Sequence, residues 1–261
     1  MNAKVLYGII KKGAHHRKGV EIELKTETLG QKLLPKENQK DRIRSLVEDL
    51  RERRIVTDFR FDQIYPPPVR KLSENHWTPI EVAIRAAELL VGNHKTRVLD
   101  IGSGCGKFCT IAALTSPGQF IGVEHRAHLA ELAKDTAQKL GASNASFIQG
   151  NMADLDWSFF DSFYMFNPFY ENKAAIIRID DTVTMGLKKY NNYIEIVRAK
   201  LRAARSGSRV VTYHGFGGDM PACYRLLKRE PIGVSSLELW FKMEIPKSIV
   251  KSPSEKVTLA R

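Results

Sequence analysis

The sequence predicts an α/β fold: a doubly wound, mostly parallel sheet of about seven strands with an antiparallel C-terminal edge strand, preceded by an N-terminal extension. Three observations carry this expectation. From Thr78 onward, short apolar runs alternate with longer segments of helical spacing, the pattern of strands buried beneath helices on both faces. A glycine-rich turn, DIGSGCGK at residues 100–107, joins the first apolar run to the next helix. The last run, within PIGVSSLELWFKMEI, shows strand signals without an intervening helix, and only antiparallel neighbours can be joined so briefly.

Residues 1–37 hold short apolar runs (VLYGII, VEIEL) among Gly, His and Lys, which suits a small hairpin or an ordered arm. Residues 38–54 place Ile43, Leu46, Val47 and Leu50 at helical spacing with charges elsewhere, an amphipathic helix. The following YPPPVRKLSEN reads as an irregular linker, because each proline removes a donor and restrains its predecessor. The division expected is therefore an extension at 1–75, a main domain at 76–246 and a flexible tail at 247–261. Thr78 as N-cap, Pro79 at the first helical position and Glu81 as reciprocal partner predict a helix running to Gly92. RVLDIG, QFIGVEH, ASFIQGN, FDSFYMFN and RVVTYHG then read as strands. KFCTIAALT, AHLAELAKDTAQKL and GLKKYNNYIEIVRAKLRAA read as the helices between them, the second ended by Gly141.

The chain has 261 residues, 43% hydrophobic and 27% charged, enough to bury a sizeable core. No apolar stretch approaches the roughly 20 residues that span a bilayer, and the N-terminus carries no secretory cleavage pattern; no membrane association and a cytoplasmic location are expected. Cys105, Cys109 and Cys223 are an odd number, and the first two are spaced C-x-x-x-C with no second pair to complete a metal site. Free thiols and no metal are expected. The net charge of +12 is uneven: 17 basic and 11 acidic residues fall in 1–75, 9 and 11 in 76–180, 15 and 7 in 181–261, or +6, −2 and +8. Basic flanks around a near-neutral centre suit a macromolecular partner with an acidic surface, nucleic acid or protein. They equally suit solvated Lys and Arg on helix faces. The oligomeric state is left open.

In open α/β sheets, ligands bind beyond the carboxyl ends of the strands, and the residues that follow each strand here are the chemically informative ones. Gly102, Gly104 and Gly106 let the first turn bend tightly and bring backbone N–H groups to a ligand. Glu124 follows the second strand, where a carboxylate can accept two ribose hydroxyls. Asn151, Met152 and Asp154 follow the third, and Asn167-Pro168-Phe169-Tyr170 the fourth. The glycines read G-x-G-x-G, not the G-x-G-x-x-G of dinucleotide sites, and Asp100 would stand beside phosphate charge at a Coulomb cost. That disfavours NAD and favours a cationic ligand without phosphate.

At these residues the sequence resembles the class I S-adenosylmethionine-dependent methyltransferases, over roughly residues 76–245, through VLDIGSGCGK followed by GVEH. The resemblance implies S-adenosyl-L-methionine as cofactor. Gly102, Ser103, Gly104 and Gly106 would lie beneath its methionine part, with Asp100 near the amino group. Glu124 would hold the ribose and His125 lie against the adenine, while Asn151, Met152 and Asp154 would meet the adenine edge and ring. Plainer readings stand beside these: Asp154 as a helix cap and Met152 as core.

The stretch FYMFNPFYEN resembles the Asn/Asp-Pro-Pro-Tyr/Phe motif of amino methyltransferases at three of four positions. There, the side-chain oxygen and the next carbonyl hold the target nitrogen and the aromatic packs on the substrate, which assigns Asn167, Pro168 and Tyr170 to catalysis. Phe169 in place of the second proline departs from that pattern. The plainer reading is a stiff turn whose Asn caps the next helix. A more diffuse similarity, from the D-x-G-S-G-x-G loop, GVE with Arg126 beyond it, and the Asn-bearing aromatic turn, is to the Dot1-type and archaeal protein-lysine methyltransferases. In that case Phe163, Phe166, Phe169 and Tyr170 would wall a site that favours neutral amine by desolvation, with Tyr213 and His214 facing it. The expected activity is methyl transfer to a nitrogen of a macromolecule, a lysine-like protein side chain or RNA. The alternatives are a non-catalytic cofactor-binding domain associated with nucleic acid and a small-molecule methyltransferase.

Overall fold

A computed structural model describes residues 38–173 and 178–244, all within one compact unit that begins at Asn38. The hairpin or arm expected in residues 1–37 and the tail expected at 247–261 lie outside the described residues. Helix α1 (Gln39–Arg51) is capped by Asn38, whose side chain accepts from Asp41 N–H at 2.9 Å, and it buries Leu46, Val47 and Leu50 as its periodicity requires.

The proline-rich segment corrects the linker reading. Preceded by a short helix α2 (Asp58–Asp62), it folds as two more, α3 (Pro67–Arg70) and α4 (Ser73–His76). Pro67 and Pro68 occupy the first turn of α3, where a missing N–H costs nothing. Phe61, Tyr65 and Trp77 join Leu46 and Leu50 in the same buried cluster as the helices that follow. The next helix, α5 (Ile80–Leu90), starts one residue later and ends two earlier than expected, and Thr78 does not cap it. Asp58 does so from α2, its Oδ1 accepting from Ile80 N–H at 3.0 Å, while the buried Thr78 hydroxyl meets Tyr164 Oη at 3.2 Å.

The strands and helices that follow are β1 (Arg97–Ile101), α6 (Lys107–Thr115), β2 (Gln119–Glu124), α7 (Ala127–Leu140), β3 (Ala145–Gln149), β4 (Ser162–Phe166), α8 (Leu187–Ala203), β5 (Arg209–Tyr213), β6 (Tyr224–Ile232) and β7 (Ser235–Lys242). Sheet order is β3-β2-β1-β4-β5-β7-β6, with β1 to β5 parallel and β7 antiparallel to both its neighbours. The final strand thus inserts beside β5, and β6, whose outward residues are charged, forms the edge. Alternation along the strands sorts the core into two layers: Val98, Phe120 and Tyr164 face α1, α5, α6 and α7, while Leu99, Ile101, Phe163 and Met165 face α8. Strand order reverses between β1 and β4, and a crevice opens at such a reversal.

Candidate active site

The turn after β1 and the turn after β4 meet across that crevice. Gly102 has φ +75°, and a Cβ on it would stand 3.0 Å from Pro168 Cβ; Gly104 has φ +54°, and its Cβ would stand 2.5 Å from the Trp77 ring. Only glycine permits both the backbone conformation and the close approach. Gly102 and Ser103 N–H both donate to Val123 O at 3.0 Å, which ties the loop to the end of β2. The buried Glu124 carboxylate accepts from Gly104 N–H at 3.0 Å and Arg126 N–H at 2.8 Å, so two backbone donors fix its orientation at the crevice.

Asn167 leaves β4 with φ +42°, and His214 leaves the adjacent β5 with φ +59°. Side chains other than Gly, Asn and Asp rarely adopt this left-handed region, and such strain gathers at functional sites. Asn167 N–H donates to Gly215 O at 3.0 Å and its carbonyl accepts from Tyr170 N–H at 3.2 Å. Its carboxamide, however, makes no hydrogen bond to the described residues, and the short turn that follows has no side-chain cap. The helix-capping reading is thereby not what the structure shows. Phe169 is buried against α8 and stacks on Tyr193, with centroids 5.1 Å apart; an aromatic anchor stands where the related motif has its second proline.

A cavity of about 330 Å³ occupies the crevice, within the range of about 300–1,000 Å³ that suits small ligands. Gly102, Gly104, Glu124 and His125 line it, as do Asn151, Met152, Asn167, Pro168 and Tyr170. Four expected cofactor contacts do not. Asp100 is buried behind the loop, receiving Cys109 Sγ–H at 3.5 Å, and burial pushes its carboxyl up to about 7. Ser103 and Gly106 pack against Gly122 and against Ala133 and Phe147, which makes them supports of the loop. Asp154 is exposed and lies off the cavity, in a short 3₁₀ turn capped by Asn151 Oδ1. Phe163 is likewise absent from the wall, because strand alternation turns it into the α8 layer, where it stacks on Trp157.

The sequence reading missed the wall supplied from before α5. Asn75, His76 and Trp77 line the cavity, and Trp77 Nε1–H donates to Val69 O at 2.9 Å. A Trp beside a helix-starting Thr-Pro was the available signal, obscured by treating the prolines as a linker. Arg126 was also undervalued: it is buried on the wall and ion-paired to Glu171 at 2.9 Å and Asp180 at 3.1 Å. Among the described residues, the cavity wall then carries no Lys or Arg without a carboxylate partner to hold a pyrophosphate, and the donor set fits a cationic, ribose-bearing ligand. A second cavity of about 290 Å³ shares the Trp77 and Phe166 walls of the first, and Tyr213 and His214 line it. Burial lowers the pKa of His214, which keeps it neutral and able to accept a proton near pH 7.

Residues 93–206 match the family model Methyltransf_31, described as a methyltransferase domain. Over those residues the chain carries a methyltransferase domain. Solved structures of similar fold include an RNA methyltransferase from Salinibacter ruber in complex with S-adenosyl-L-homocysteine, 20% identical over 65% of this chain and 96% of that one, with a TM-score of 0.48. TrmN from Thermus thermophilus is 20% identical over 67% of this chain and 52% of its own, TM-score 0.49. A SAM-dependent methyltransferase from Aquifex aeolicus is 15% identical over 69% and 100%, TM-score 0.44. None of these likenesses bears on the acceptor of the methyltransferase domain described here. No curated protein matches the sequence. No helix among the described residues is long and apolar enough to cross a membrane.

Proposed function

We infer that the methyltransferase acts on a nitrogen of a macromolecule, a lysine-like protein side chain or an RNA base. One observation carries this reading: the Asn167 carboxamide, which makes no hydrogen bond to the described residues, stands in a left-handed turn (φ +42°) on the wall of the first cavity. An amide oxygen and the carbonyl that follows it can accept the hydrogens of an amine and aim its lone pair, so the residues contribute orientation in a water-poor site. Glu124 would hold the ribose hydroxyls, Gly102 and Gly104 would floor the methionine part, and His125 and Met152 would bracket the adenine. Bound there, the cofactor would supply an electrophilic sulfonium methyl to the nitrogen that Asn167 aims, and His214 or water would take up the proton the acceptor gives up. Tyr170, about half exposed at 42%, would pack on the incoming group. The three cysteines are free, which suits a reducing, cytoplasmic setting, and the basic flanks supply a surface for a large acceptor.

Incubation with radiolabelled cofactor and cell extract, followed by protease or RNase on separate portions, tests the reading. Label that survives small-molecule removal and is released by protease or by RNase marks a macromolecular acceptor. Label found only in the small-molecule fraction would contradict it.

A further inference from the structure

The second cavity gives the acceptor a chemical class. We propose that it receives a cationic side chain of a protein, a lysine amine, and not a nucleic acid; this rests on the macromolecular-nitrogen reading above. The cavity abuts the first, since Trp77 and Phe166 line both, and Phe166 is the residue next to Asn167 in the chain, so a group entering it comes up to the Asn167 turn. Its wall carries three carboxylates, Asp58, Asp62 and Glu74, against one guanidinium, Arg70.

Lys107, buried to 2% exposure, bridges Asp58 at 2.7 Å and Asp62 at 2.8 Å. Counting it with Arg70 gives two cations against three carboxylates, and the carboxylate left over is Glu74, which has no ion pair or hydrogen bond among the described residues. An ammonium entering this mouth gains a partner that nothing in the fold provides. A phosphate backbone meets repulsion, and nucleic-acid affinity depends on the opposite arrangement.

Two further features fit a lysine on a polypeptide. Phe59 and Val234 stand on the cavity rim at 78% and 91% exposure, apolar contacts that a peptide chain can cover. Arg70, on the wall, is held by Gln63 Oε1 at 2.6 Å and Tyr65 O at 3.1 Å, so the one guanidinium of the wall is fixed by neutral acceptors and leaves Glu74 unneutralised. At the inner end, the aromatic rings of Trp77, Phe166 and Tyr213 strip water from the amine, and desolvation favours its neutral, nucleophilic form.

The test compares wild type with Glu74→Lys, a change at an exposed residue outside the cofactor cavity. Cell extract labelled with tritiated cofactor is divided into protein and RNA, and the protein is hydrolysed to amino acids. Wild type should place the label in methylated lysine, and E74K should lower it at least about 10-fold, while S-adenosylhomocysteine binds both proteins equally. Binding of a fluorescein-labelled alternating Ala-Lys hexapeptide, followed by anisotropy without cofactor, should weaken about 5-fold in E74K. Label confined to RNA, equal labelling by the two proteins, or peptide binding that is equal or immeasurable for both would overturn the proposal. Label in neither fraction would instead remove the macromolecular reading beneath it.

Discussion

Glu124 and Asp100 are carboxylates at the ends of neighbouring strands, yet the fold assigns them different work. Glu124 is oriented by two backbone N–H groups at the cavity. Glu124→Ala should therefore weaken S-adenosylhomocysteine binding by about 1.5–3 kcal/mol, the loss of charge-assisted bonds, read by calorimetry; unchanged affinity would contradict the assignment. Asp100 has no such donors, and its carboxyl is pushed up to about 7 by burial. A raised carboxyl pKa means that the folded state holds a proton the unfolded state has released, so stability falls as pH rises from about 4 to about 7 and is level above. His214, lowered by burial, works the other way below about pH 6.5, so the effect of Asp100 is best isolated by difference. Asp100→Asn should be progressively more stable than wild type between pH 4 and 7 in unliganded protein, measured by urea titration. A difference independent of pH would mean that Asp100 is ionised throughout.

Helices α2 to α4 show how a segment that looks like a tether becomes part of a site. Its order comes from contacts distant in sequence: Asp58 caps α5, Lys107 at the start of α6 binds Asp58 and Asp62, and Trp77 lies on Gly104. None of these is encoded in the local spacing of residues 57–77, which is why the prolines suggested only irregularity. By contrast, the β1 turn was legible because its three glycines, a preceding apolar strand and a following helix form a local signal. RVLDIG was legible as a buried strand for the same reason, but which face each residue takes, Leu99 and Ile101 toward α8 and Val98 away from it, appears only in the structure, since both faces are covered. Asp154 was misplaced because a residue three beyond Asn151 falls on the outer side of a 3₁₀ turn, a geometry the sequence did not announce. The buried Lys107 is the joint between the segment and the core. Lys107→Met leaves two carboxylates without their cation and should cost about 3–5 kcal/mol of unfolding free energy. Loss below about 1 kcal/mol in a denaturant titration would show that α2 and α4 are held by apolar packing alone.

At the scale of the whole molecule, two cavities lie side by side, one at the point where strand order reverses and one between α2 to α4 and the end of β5, sharing the Trp77 and Phe166 walls. The mostly parallel sheet, an antiparallel strand near the C-terminus and the methyltransferase resemblance of the loops follow from patterns along the chain, whereas the strand order, with β7 inserted between β5 and β6, does not. The partition between the cavities does not, because it depends on Trp77 and Phe166 arriving from elements about 90 residues apart in sequence. The central claim is that the Asn167 carboxamide orients the acceptor nitrogen, and paired measurements on Asn167→Ala test it most directly: S-adenosylhomocysteine affinity by calorimetry and turnover with labelled extract, on one preparation. If the carboxamide acts on the reacting group, affinity stays within about 2-fold and turnover falls by about 10²-fold or more, since bonds to a developing transition state govern rate more than binding. Normal turnover with a lowered melting temperature would contradict the claim and leave Asn167 as a turn residue.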